Sequence, residues 1–338
     1  MADDSLSSIA CRPSSNGVRM YGTTTFTDSK QSPIVNEDPD KLAEFESRIA
    51  RGEKIEPPDW MPAEYRRQLI RMIEQHAHSE IMGALPEGKW IPYAPGFRRK
   101  LALVAKVQDE VGHAQLLYRA AETLGKSREQ MIDDLLSGKS KYSNVFNYPT
   151  PTWADTAVIA WLIDAGAIIN QNTNAEGSYG PYCRALKRIC YEESFHLKYG
   201  YDSVITLANG TKAQRAMLQD ALNRWWRPIM HFHGPPDKIS AHTEILMRWK
   251  VKIKTNDEMR QEFLDQYVPK IWELGLTVPD PNLRKNPDTG VWEFSDPDWD
   301  EFKRVINGDG PCNAERLGIR RVAHEDGAWV RAALAAAN

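Results

Sequence analysis

Two acid–histidine pairs constrain this chain more than any other feature of its sequence. "QDEVGH" at 108–113 places Glu110 three residues before His113, and "EESFH" at 192–196 places Glu193 three residues before His196. On an α-helix, residues three apart project from one face about 5 Å from each other. Each pair can therefore ligate a metal ion if its segment is helical. The spacing alone is weak, because a surface Glu–His contact explains either pair as well.

A further acid precedes each pair by nearly the same distance. Glu80 comes 30 residues before Glu110, and Asp164 comes 29 residues before Glu193. Two helical hairpins, each giving one acid and one Glu-x-x-His motif, form the ligand set of ferritin-like di-iron carboxylate bundles. Asp164 lies in the apolar segment "AWLIDAGAII", where an unpaired buried charge would cost several kcal/mol.

The sequence thus predicts a dinuclear centre. Four carboxylates balance the charge of two Fe(II) ions, and an oxygen-rich set without thiolates suits Fe or Mn better than Zn or Cu. The predicted metal ligands are Glu80, Glu110, His113, Asp164, Glu193 and His196, and the four carboxylates among them are also the candidate catalytic residues.

Several neighbours of these ligands have two possible roles. His76, one turn before the first acid, is either a hydrogen-bond donor to it or a structural histidine. Asp109 and Glu192 adjoin the ligand glutamates and are alternative ligands or solvated acids. Lys106 shares a helix face with the first pair; an ordinary ion pair is the simpler interpretation. We also hypothesise that its ammonium replaces iron in metal-free protein.

The pattern of apolar residues predicts an all-α protein. Helical periodicity extends over 62–85, 97–124, 127–137, 153–175, 180–208, 212–231, 241–254 and 256–274. We expect a flexible polar tail at 1–38, a ferritin-like helical domain with extra helices at 39–277, and a C-terminal arm at 278–338. The arm contains a candidate hairpin around "NPDTGVWEF" and then helices at 298–307 and 313–335.

Composition excludes several function classes. With 338 residues, 41% of them hydrophobic, the chain is enzyme-sized, and a net charge of −3 gives no reason to expect a nucleic-acid partner. It has no uninterrupted apolar run near the roughly 20 residues of a membrane span, so no membrane association is expected. Four cysteines, Cys11, Cys183, Cys190 and Cys312, form no disulfide framework or metal spacing, which indicates reduced thiols in a cytoplasm.

From about Phe45 to Trp329 the chain resembles the oxygenase-subunit family of bacterial phenylacetyl-CoA epoxidases, which are multicomponent di-iron monooxygenases. The similarity extends through "PPDWMPAEYRRQLIRMIEQHAHSEIMGALPEG", "AKVQDEVGHAQLLY", "KYSNVFNYPTPTWAD", "CYEESFH", "MLQDALNRWW" and "VINGDGPCNAERL". The resemblance implies a ferritin-like bundle with two iron ions. It also implies insertion of one atom of O2 into the ring of phenylacetyl-CoA, giving the ring 1,2-epoxide, in aerobic phenylacetate degradation.

The resemblance also implies a site for the CoA thioester. Its candidate contacts are Arg71, Gln75, Lys141, Tyr142, Ser143, Asn144 and Lys252, with Phe146 and Asn170 near the acyl end. CoA phosphates suit Arg and Lys, although a solvated basic surface remains the alternative for any single lysine. One ligand departs from the usual bundle pattern, because Asp164 stands where most such proteins have glutamate; weak iron retention would follow.

The implied partners form a hetero-oligomer. They are a homologous non-catalytic helical subunit, a small accessory subunit, and a separate NADPH-dependent reductase that carries FAD and a 2Fe–2S cluster. The chain itself has no flavin, nicotinamide or iron–sulfur motif. The segment "NRWWRP" at 223–228 either helps to form the interface with the homologous subunit or packs in the core.

Four other functions stay open. One is epoxidation of another aryl-CoA. A ferritin-like ferroxidase would use the same ligands, but a typical cage subunit is shorter and lacks the arm. A radical generator would need a tyrosine near the metal ions, with Tyr118, Tyr191 and Tyr199 as candidates. A non-catalytic scaffold subunit ranks last, because it would be expected to lose ligands and all six are present.

Overall fold

The computed structural model describes residues 37–240 and 242–337, which are almost entirely helical. The α-helices are α1 (Pro39–Ala50), α2 (Ala63–Gly88), α3 (Phe97–Glu122), α4 (Arg128–Ser137), α5 (Trp153–Val158), α6 (Asp164–Ala175), α7 (Gly180–Ala208), α8 (Lys212–Phe232), α9 (Thr243–Arg248), α10 (Asn256–Glu273), α11 (Trp299–Arg304), α12 (Asn313–Asp326) and α13 (Ala328–Ala336). The all-α prediction is confirmed. Of the tail expected at 1–38, residues 1–36 lie outside the described residues.

Two long hairpins form the centre of the fold. α2 packs against α3, α6 packs against α7, and α3 in turn packs against α7. This arrangement is the predicted ferritin-like four-helix bundle, and the spacing of the acids reflects it, since each hairpin carries one acid and one Glu-x-x-His motif. Gly96, with φ of +123°, reverses the chain immediately before α3, a backbone conformation that only glycine adopts easily.

The second hairpin contains a local irregularity. α5 continues through a π-helical turn, Ile159–Ile163, directly into α6, which begins at Asp164. α7 approaches this turn closely at Gly200, where a Cβ atom would collide with the backbone of Ala160. The absence of a side chain at Gly200 therefore lets α7 pack directly on the π-helical turn, one helical turn beyond His196.

The helix formed by α5, the π-helical turn and α6 is long and apolar enough to span a membrane by length and composition. However, 78% of its most apolar stretch is buried inside the protein. It is the core helix of the bundle, so its composition is explained by packing.

The remaining helices enlarge the core beyond the bundle. α8 and α10 bury a large apolar cluster that includes Trp225 and Trp226, which are 1% and 4% exposed. Arg224 bonds the buried carboxylate of Asp155. The interpretation of "NRWWRP" as part of a subunit interface is therefore wrong for its tryptophans, which pack in the core.

The helix predicted at 241–254 is much shorter in the structure. α9 ends at Arg248, and Lys250 has a φ of +47°, which is incompatible with continuing an α-helix. The carbonyl of Lys250 instead accepts a hydrogen bond from the Ser178 backbone. This tertiary contact takes precedence over the helical pattern of the sequence.

The C-terminal segment contains a short hairpin and three helices. Strands β1 (Arg284–Lys285) and β2 (Trp292–Glu293) pair antiparallel, with Arg284 opposite Glu293. Trp292 bonds to Gln261 and Asp265 on α10. A second π-helical turn, Val305–Asp309, follows α11. On α12, Arg316 donates a hydrogen bond to the Tyr148 carbonyl, which ties this segment to the bundle.

Candidate metal centre

The two hairpins bring the six predicted ligands to one place. The potential ligand atoms form two groups, and within each group all the atoms lie within 4.8 Å of one another. One group is Glu80, Glu110, His113 and Glu193, and the other is Glu110, Asp164, Glu193 and His196. Glu110 and Glu193 belong to both groups, so the arrangement offers two adjacent sites that share two carboxylates.

All six side chains are withdrawn from solvent, none more than 7% exposed. Burying four carboxylates together is unfavourable unless cations compensate them. The cluster therefore has the electrostatic character of a cation-binding site.

Both histidines direct their Nδ1 atom toward the cluster. His113 Nδ1 lies 3.5 Å from Glu193, and His196 Nδ1 lies 3.1 Å from the same residue. The Nε2 atom of each histidine contacts an acid on the other helix. His113 Nε2 lies 3.2 Å from Glu192 on α7, and His196 Nε2 lies 3.2 Å from Asp109 on α3. Metal-ligating histidines commonly present their second nitrogen to a carboxylate in this way.

Unsatisfied atoms within the cluster fit metal ligands. Neither ring nitrogen of His113 makes an aligned hydrogen bond, although both are buried. Asp164 Oδ2 also lacks an aligned hydrogen bond. Buried polar atoms are rarely left unpaired. A set of carboxylate and imidazole groups gathered in one place suits an oxygen-preferring transition metal.

Lys106 provides the positive charge at the centre. Its ammonium contacts Glu110, lies 2.7 Å from Glu87 Oε2 and lies 3.2 Å from Asp164 Oδ2. This is the geometry that our hypothesis of a lysine in place of metal requires. Glu87, which is buried, was not identified from the sequence.

The carboxylates respond differently to this environment. Burial raises the pKa of Asp164 well above its ordinary value, although the Lys106 charge opposes this effect. Burial also opposes ionisation of Glu110, but the charge of Lys106, a contact with His113 and the charge of His196 together outweigh it. The pKa of Glu110 therefore lies well below its usual range. For Glu193, burial and the Glu110 charge are outweighed by contacts with His113 and His196, which lower the pKa to about 2.

The cationic groups are stabilised in their charged forms. Burial opposes the charge of Lys106, yet Asp164, Glu110 and Glu87 raise its pKa well above the ordinary value. Burial also disfavours protonated His196, but Glu193 and Glu110 together raise the pKa of its imidazole to about 9. Protons and one ammonium thus compensate the acids, which is the role that metal ions would take.

Two histidines of α2 beside the cluster each pair with a tyrosine from another helix. His76 Nε2 lies 2.9 Å from Glu80 Oε1, and its Nδ1 lies 2.9 Å from the Tyr182 hydroxyl. His76 is therefore a hydrogen-bond partner of a predicted ligand, the less favoured of the two roles considered from the sequence. His78 Nδ1 lies 2.7 Å from the Tyr118 hydroxyl, and its Nε2 lies 3.3 Å from Glu74.

The three tyrosines considered as radical sites have different environments. Tyr118 is buried and paired with His78. Tyr191 is 67% exposed, whereas Tyr199 is buried and its hydroxyl has no aligned hydrogen bond. Of the tyrosines in the described residues, the one linked to a predicted ligand through a single side chain is Tyr182, which sequence spacing did not indicate.

Only some of the candidate CoA contacts lie close to one another in the structure. The backbone N–H of Ser143 donates to Ser79 Oγ, which itself bonds the Gln75 carbonyl, so the loop at 141–144 lies beside α2. Phe146 packs against Gly83 of the same helix. The other candidates are an exposed Arg71, a half-buried Lys141, a buried Asn144, Tyr142 bonded to Asn147, Asn170 bonded to Asn174, and Lys252 bonded to Asn256.

Comparison with known proteins agrees with this site. The chain is 54% identical over 289 residues to one subunit of the 1,2-phenylacetyl-CoA epoxidase of Escherichia coli (strain K12), covering 86% of this chain and 94% of that protein. It is also 28% identical over 144 residues to a second subunit of the same enzyme, covering 41% of this chain and 57% of that protein. We call these proteins the first and the second E. coli subunits. The family model for the "Phenylacetic acid catabolic protein" matches residues 31–329. The chain therefore belongs to the phenylacetic acid catabolic protein family.

Proposed function

We propose that this chain is the oxygenase subunit of a phenylacetyl-CoA epoxidase in phenylacetate degradation. It inserts one oxygen atom of O2 into the aromatic ring to give the ring 1,2-epoxide. The observation that carries the proposal is the buried cluster of four acids and two histidines, which forms two overlapping ligand groups. The similarity to the first E. coli subunit over 94% of that protein supports the choice of reaction and substrate.

The proposed cofactor is a pair of iron ions. When bound, the pair supplies the reduction of O2 and the transfer of one of its oxygen atoms to the ring. Glu110 and Glu193 would contribute to holding both ions, because each belongs to both groups. Glu80 and His113 complete one site, and Asp164 with His196 completes the other.

The surrounding residues prepare these ligands for binding. Asp109 and Glu192 lie against the outward nitrogens of the two histidines and fix which nitrogen faces inward. The apolar segment around Asp164, including buried Leu162 and Ile163, excludes water. In such surroundings electrostatic interactions between the carboxylates and bound cations are stronger than in water.

The CoA thioester is proposed to bind along α2 and the loop at 141–144. The bond between Ser143 and Ser79 supports this placement, because it joins the loop to the helix that carries Gln75 and Glu80. Arg71 lies one turn before Gln75 and is exposed, as expected for a residue that binds phosphate. The remaining proposed contacts are Lys141, Tyr142, Asn144, Phe146, Asn170 and Lys252.

A homologous helical subunit is proposed to cover the exposed side of α3 and α7. We call this surface the α3/α7 face; it comprises the exposed apolar residues Phe97, Leu101, Val104, Val111, Leu116, Tyr191 and Phe195. An apolar surface of this extent on one side of a protein is typical of an interface between subunits. The similarity to the second E. coli subunit supports a partner of related fold.

Electrons are proposed to come from a separate NADPH-dependent reductase with FAD and a 2Fe–2S cluster, because the sequence contains no motif for such groups. The proposed hetero-oligomer also includes a small accessory subunit. Reduced cysteines support a cytoplasmic location. Cys183, Cys190 and Cys312 form no disulfide within the described residues, and Cys11 lies outside them.

Turnover of the reconstituted complex tests the proposal. The chain is co-expressed with its homologous subunit, loaded with Fe(II) anaerobically, and supplied with reductase, NADPH and phenylacetyl-CoA under ¹⁸O2. We expect about two irons per chain and a CoA product that contains one ¹⁸O atom. Glu110→Ala abolishes the product, whereas Glu122→Ala, at the end of the same helix outside the cluster, does not.

The same experiment distinguishes the rivals. Two irons with oxygenation of a different aryl-CoA keep the centre and reject the substrate. Iron oxidation with mineral formation and no labelled product identifies a ferroxidase. A stable tyrosyl radical in the electron paramagnetic resonance spectrum, again without product, identifies a radical generator. Failure to bind iron rejects the proposal altogether.

A further inference from the structure

A three-residue hydrogen-bonded chain ends on one of the proposed metal ligands. Tyr182 on α7 bonds His76 Nδ1 at 2.9 Å, and His76 Nε2 lies 2.9 Å from Glu80 Oε1. Tyr182 is 2% exposed. The contact links the second hairpin, through α2 of the first, to the acid that completes the Glu80–His113 site.

The chemistry of the three groups fixes the position of the protons. An ionised carboxylate only accepts hydrogen bonds, so the His76 nitrogen that faces Glu80 must carry the hydrogen. Nδ1 of the neutral ring is then an acceptor, and the Tyr182 hydroxyl donates to it.

A longer contact does not compete with this arrangement. The Gln171 side-chain nitrogen lies 3.4 Å from His76 Nε2, whereas Glu80 Oε1 lies 2.9 Å away. The shorter contact, with a charged acceptor, is the stronger one.

The hydrogen-bonded chain divides the two oxygens of Glu80 between different tasks. Oε1 faces His76, and Oε2 faces His113 Nδ1 at 3.7 Å. A glutamate side chain has several rotatable bonds, and holding it in one orientation costs entropy. A fixed donor on Oε1 reduces that cost at the moment of metal binding and leaves Oε2 directed toward the centre.

A second hydrogen-bonded chain, whose histidine and acid also lie on α2, offers a comparison within the molecule. Tyr118 bonds His78, and His78 contacts Glu74, which is neutralised by Lys126 rather than shared with the cluster. The two chains have the same three residue types and similar burial of the tyrosine. They differ in the acid at which they end, because only Glu80 belongs to a ligand group.

We propose that Tyr182 and His76 are positioning residues that orient Glu80 for the metal site formed with Glu110, His113 and Glu193. The inference rests on the proposed metal centre and adds that one of its two sites depends on a tyrosine from the opposite hairpin. The site completed by Asp164 and His196 does not depend on these hydrogen bonds.

Metal titration of matched variants tests this assignment. Co(II) is added anaerobically to the purified protein in complex with its homologous subunit, and the two binding steps are followed by the visible absorption of the metal. We expect Tyr182→Phe and His76→Leu to weaken one step by about 10- to 100-fold and to leave the other unchanged. Tyr118→Phe, the matched control, changes neither step. His76→Gln retains a donor at the position of Nε2 and restores most of the affinity.

Equal weakening of both steps, unchanged titrations, or the same loss in Tyr118→Phe would overturn the assignment. A second measurement needs no metal and tolerates a variant that folds poorly. In wild-type protein labelled with ¹⁵N-histidine, the His76 ring shows the tautomer with hydrogen on Nε2; hydrogen on Nδ1 would contradict the proposed hydrogen bonds. If the wild type binds no metal while this tautomer is present, the proposed function fails and the hydrogen-bonded chain stands.

Discussion

Lys106 and Glu87 form a completely buried ion pair, with 2.7 Å between Nζ and Oε2, at the edge of the proposed metal centre. The same ammonium lies 3.2 Å from Asp164 and contacts Glu110. Because it occupies part of the space between these ligands, metal binding must displace it. The pair with Glu87 gives Lys106 a partner to keep when metal ions take the other two acids.

Replacing Lys106 with glutamine should therefore strengthen metal binding. We expect the apparent affinity for Fe(II) or Co(II) to rise at least about tenfold, which corresponds to about 1.4 kcal/mol. The metal-free protein should lose about 3 kcal/mol of stability, because buried acids are left without their cation. Chelator competition and thermal unfolding measure the two effects.

The matched control is Lys126→Gln, which removes a lysine paired with Glu74 outside the centre. It should leave metal affinity unchanged. A Lys106→Gln variant that binds metal no better than the wild type would show that the ammonium does not compete with metal.

Removing an acid that belongs to both ligand groups should release more metal than removing an acid that belongs to one group. Glu110 belongs to both ligand groups, whereas Glu80 belongs to one. We expect Glu110→Ala to lose both metal ions and Glu80→Ala to retain about one per chain under the same loading. Metal analysis after gel filtration measures the content. Equal losses in the two variants would argue against shared ligands.

Asp109 should support metal binding through His196. Its carboxylate lies 3.2 Å from the outward nitrogen of that histidine, and such partners orient the ring. Asp109→Asn should weaken metal binding about 10- to 100-fold with little change in the melting temperature. Gln108→Ala, the exposed neighbour on α3, serves as the control. An unaltered affinity in Asp109→Asn would mean that the ring is held by packing alone.

A buried histidine that is not one of the proposed ligands should make the fold sensitive to acid. Burial, with smaller effects from Arg260 and Lys252, lowers the pKa of His233 to about 3, against about 6.5 in an unfolded chain. Below about pH 6.5 the unfolded chain therefore binds a proton that the folded chain does not, and stability falls as pH falls. At pH 5 this single group costs about 2 kcal/mol.

His233→Gln should remove this contribution. Urea unfolding of the metal-free protein at pH 7.5 and pH 5 measures it as the difference between the two pH dependences. At pH 7.5, the difference in stability between the variant and the wild type measures any loss of packing against Phe263, separately from the effect of protonating His233. If the wild type and His233→Gln lost the same amount of stability between pH 7.5 and pH 5, the acid sensitivity could not be assigned to His233.

The α3/α7 face should be required for assembly. Leu101→Glu combined with Val104→Glu places charges on this face and should abolish co-purification with the homologous subunit, because burying two unpaired charges is costly. The isolated chain should melt as before, since both side chains are exposed. Ile319→Glu with Val322→Glu, on exposed positions of α12, is the matched control. Normal assembly of the α3 variant would place the partner elsewhere.

The gathering of the four acids and two histidines could be predicted from the sequence because it depends on regular helices. Glu-x-x-His spacing reports a shared helix face, and the intervals of 30 and 29 residues report two similar hairpins. The all-α fold followed from the same periodicity. These features are local, so they do not require knowledge of tertiary contacts.

Glu87 and Tyr182 could not be found in this way. The expected end of α2 near Leu85 excluded Glu87, but the helix continues to Gly88 through Pro86. An interior proline normally ends or kinks a helix because it lacks a backbone N–H. Pro86 lies in the last turn of α2, where carbonyls have no partner within the helix, and its carbonyl accepts a hydrogen bond from Thr150. Tyr182 reaches His76 across the bundle, a contact between residues 106 positions apart, and no spacing rule indicates such a partner.

The π-helical turn Ile159–Ile163 gives Asp164 its orientation. Such a turn inserts one additional residue, so the helical wheel of α6 is rotated by about 100° relative to that of α5. Deleting any one of the five residues would restore a regular helix but turn the Asp164 carboxylate away from the other acids. All six proposed ligands would remain in the sequence, yet the second proposed metal site would be lost. The site therefore depends on the helical phase set by a segment that contributes no ligand.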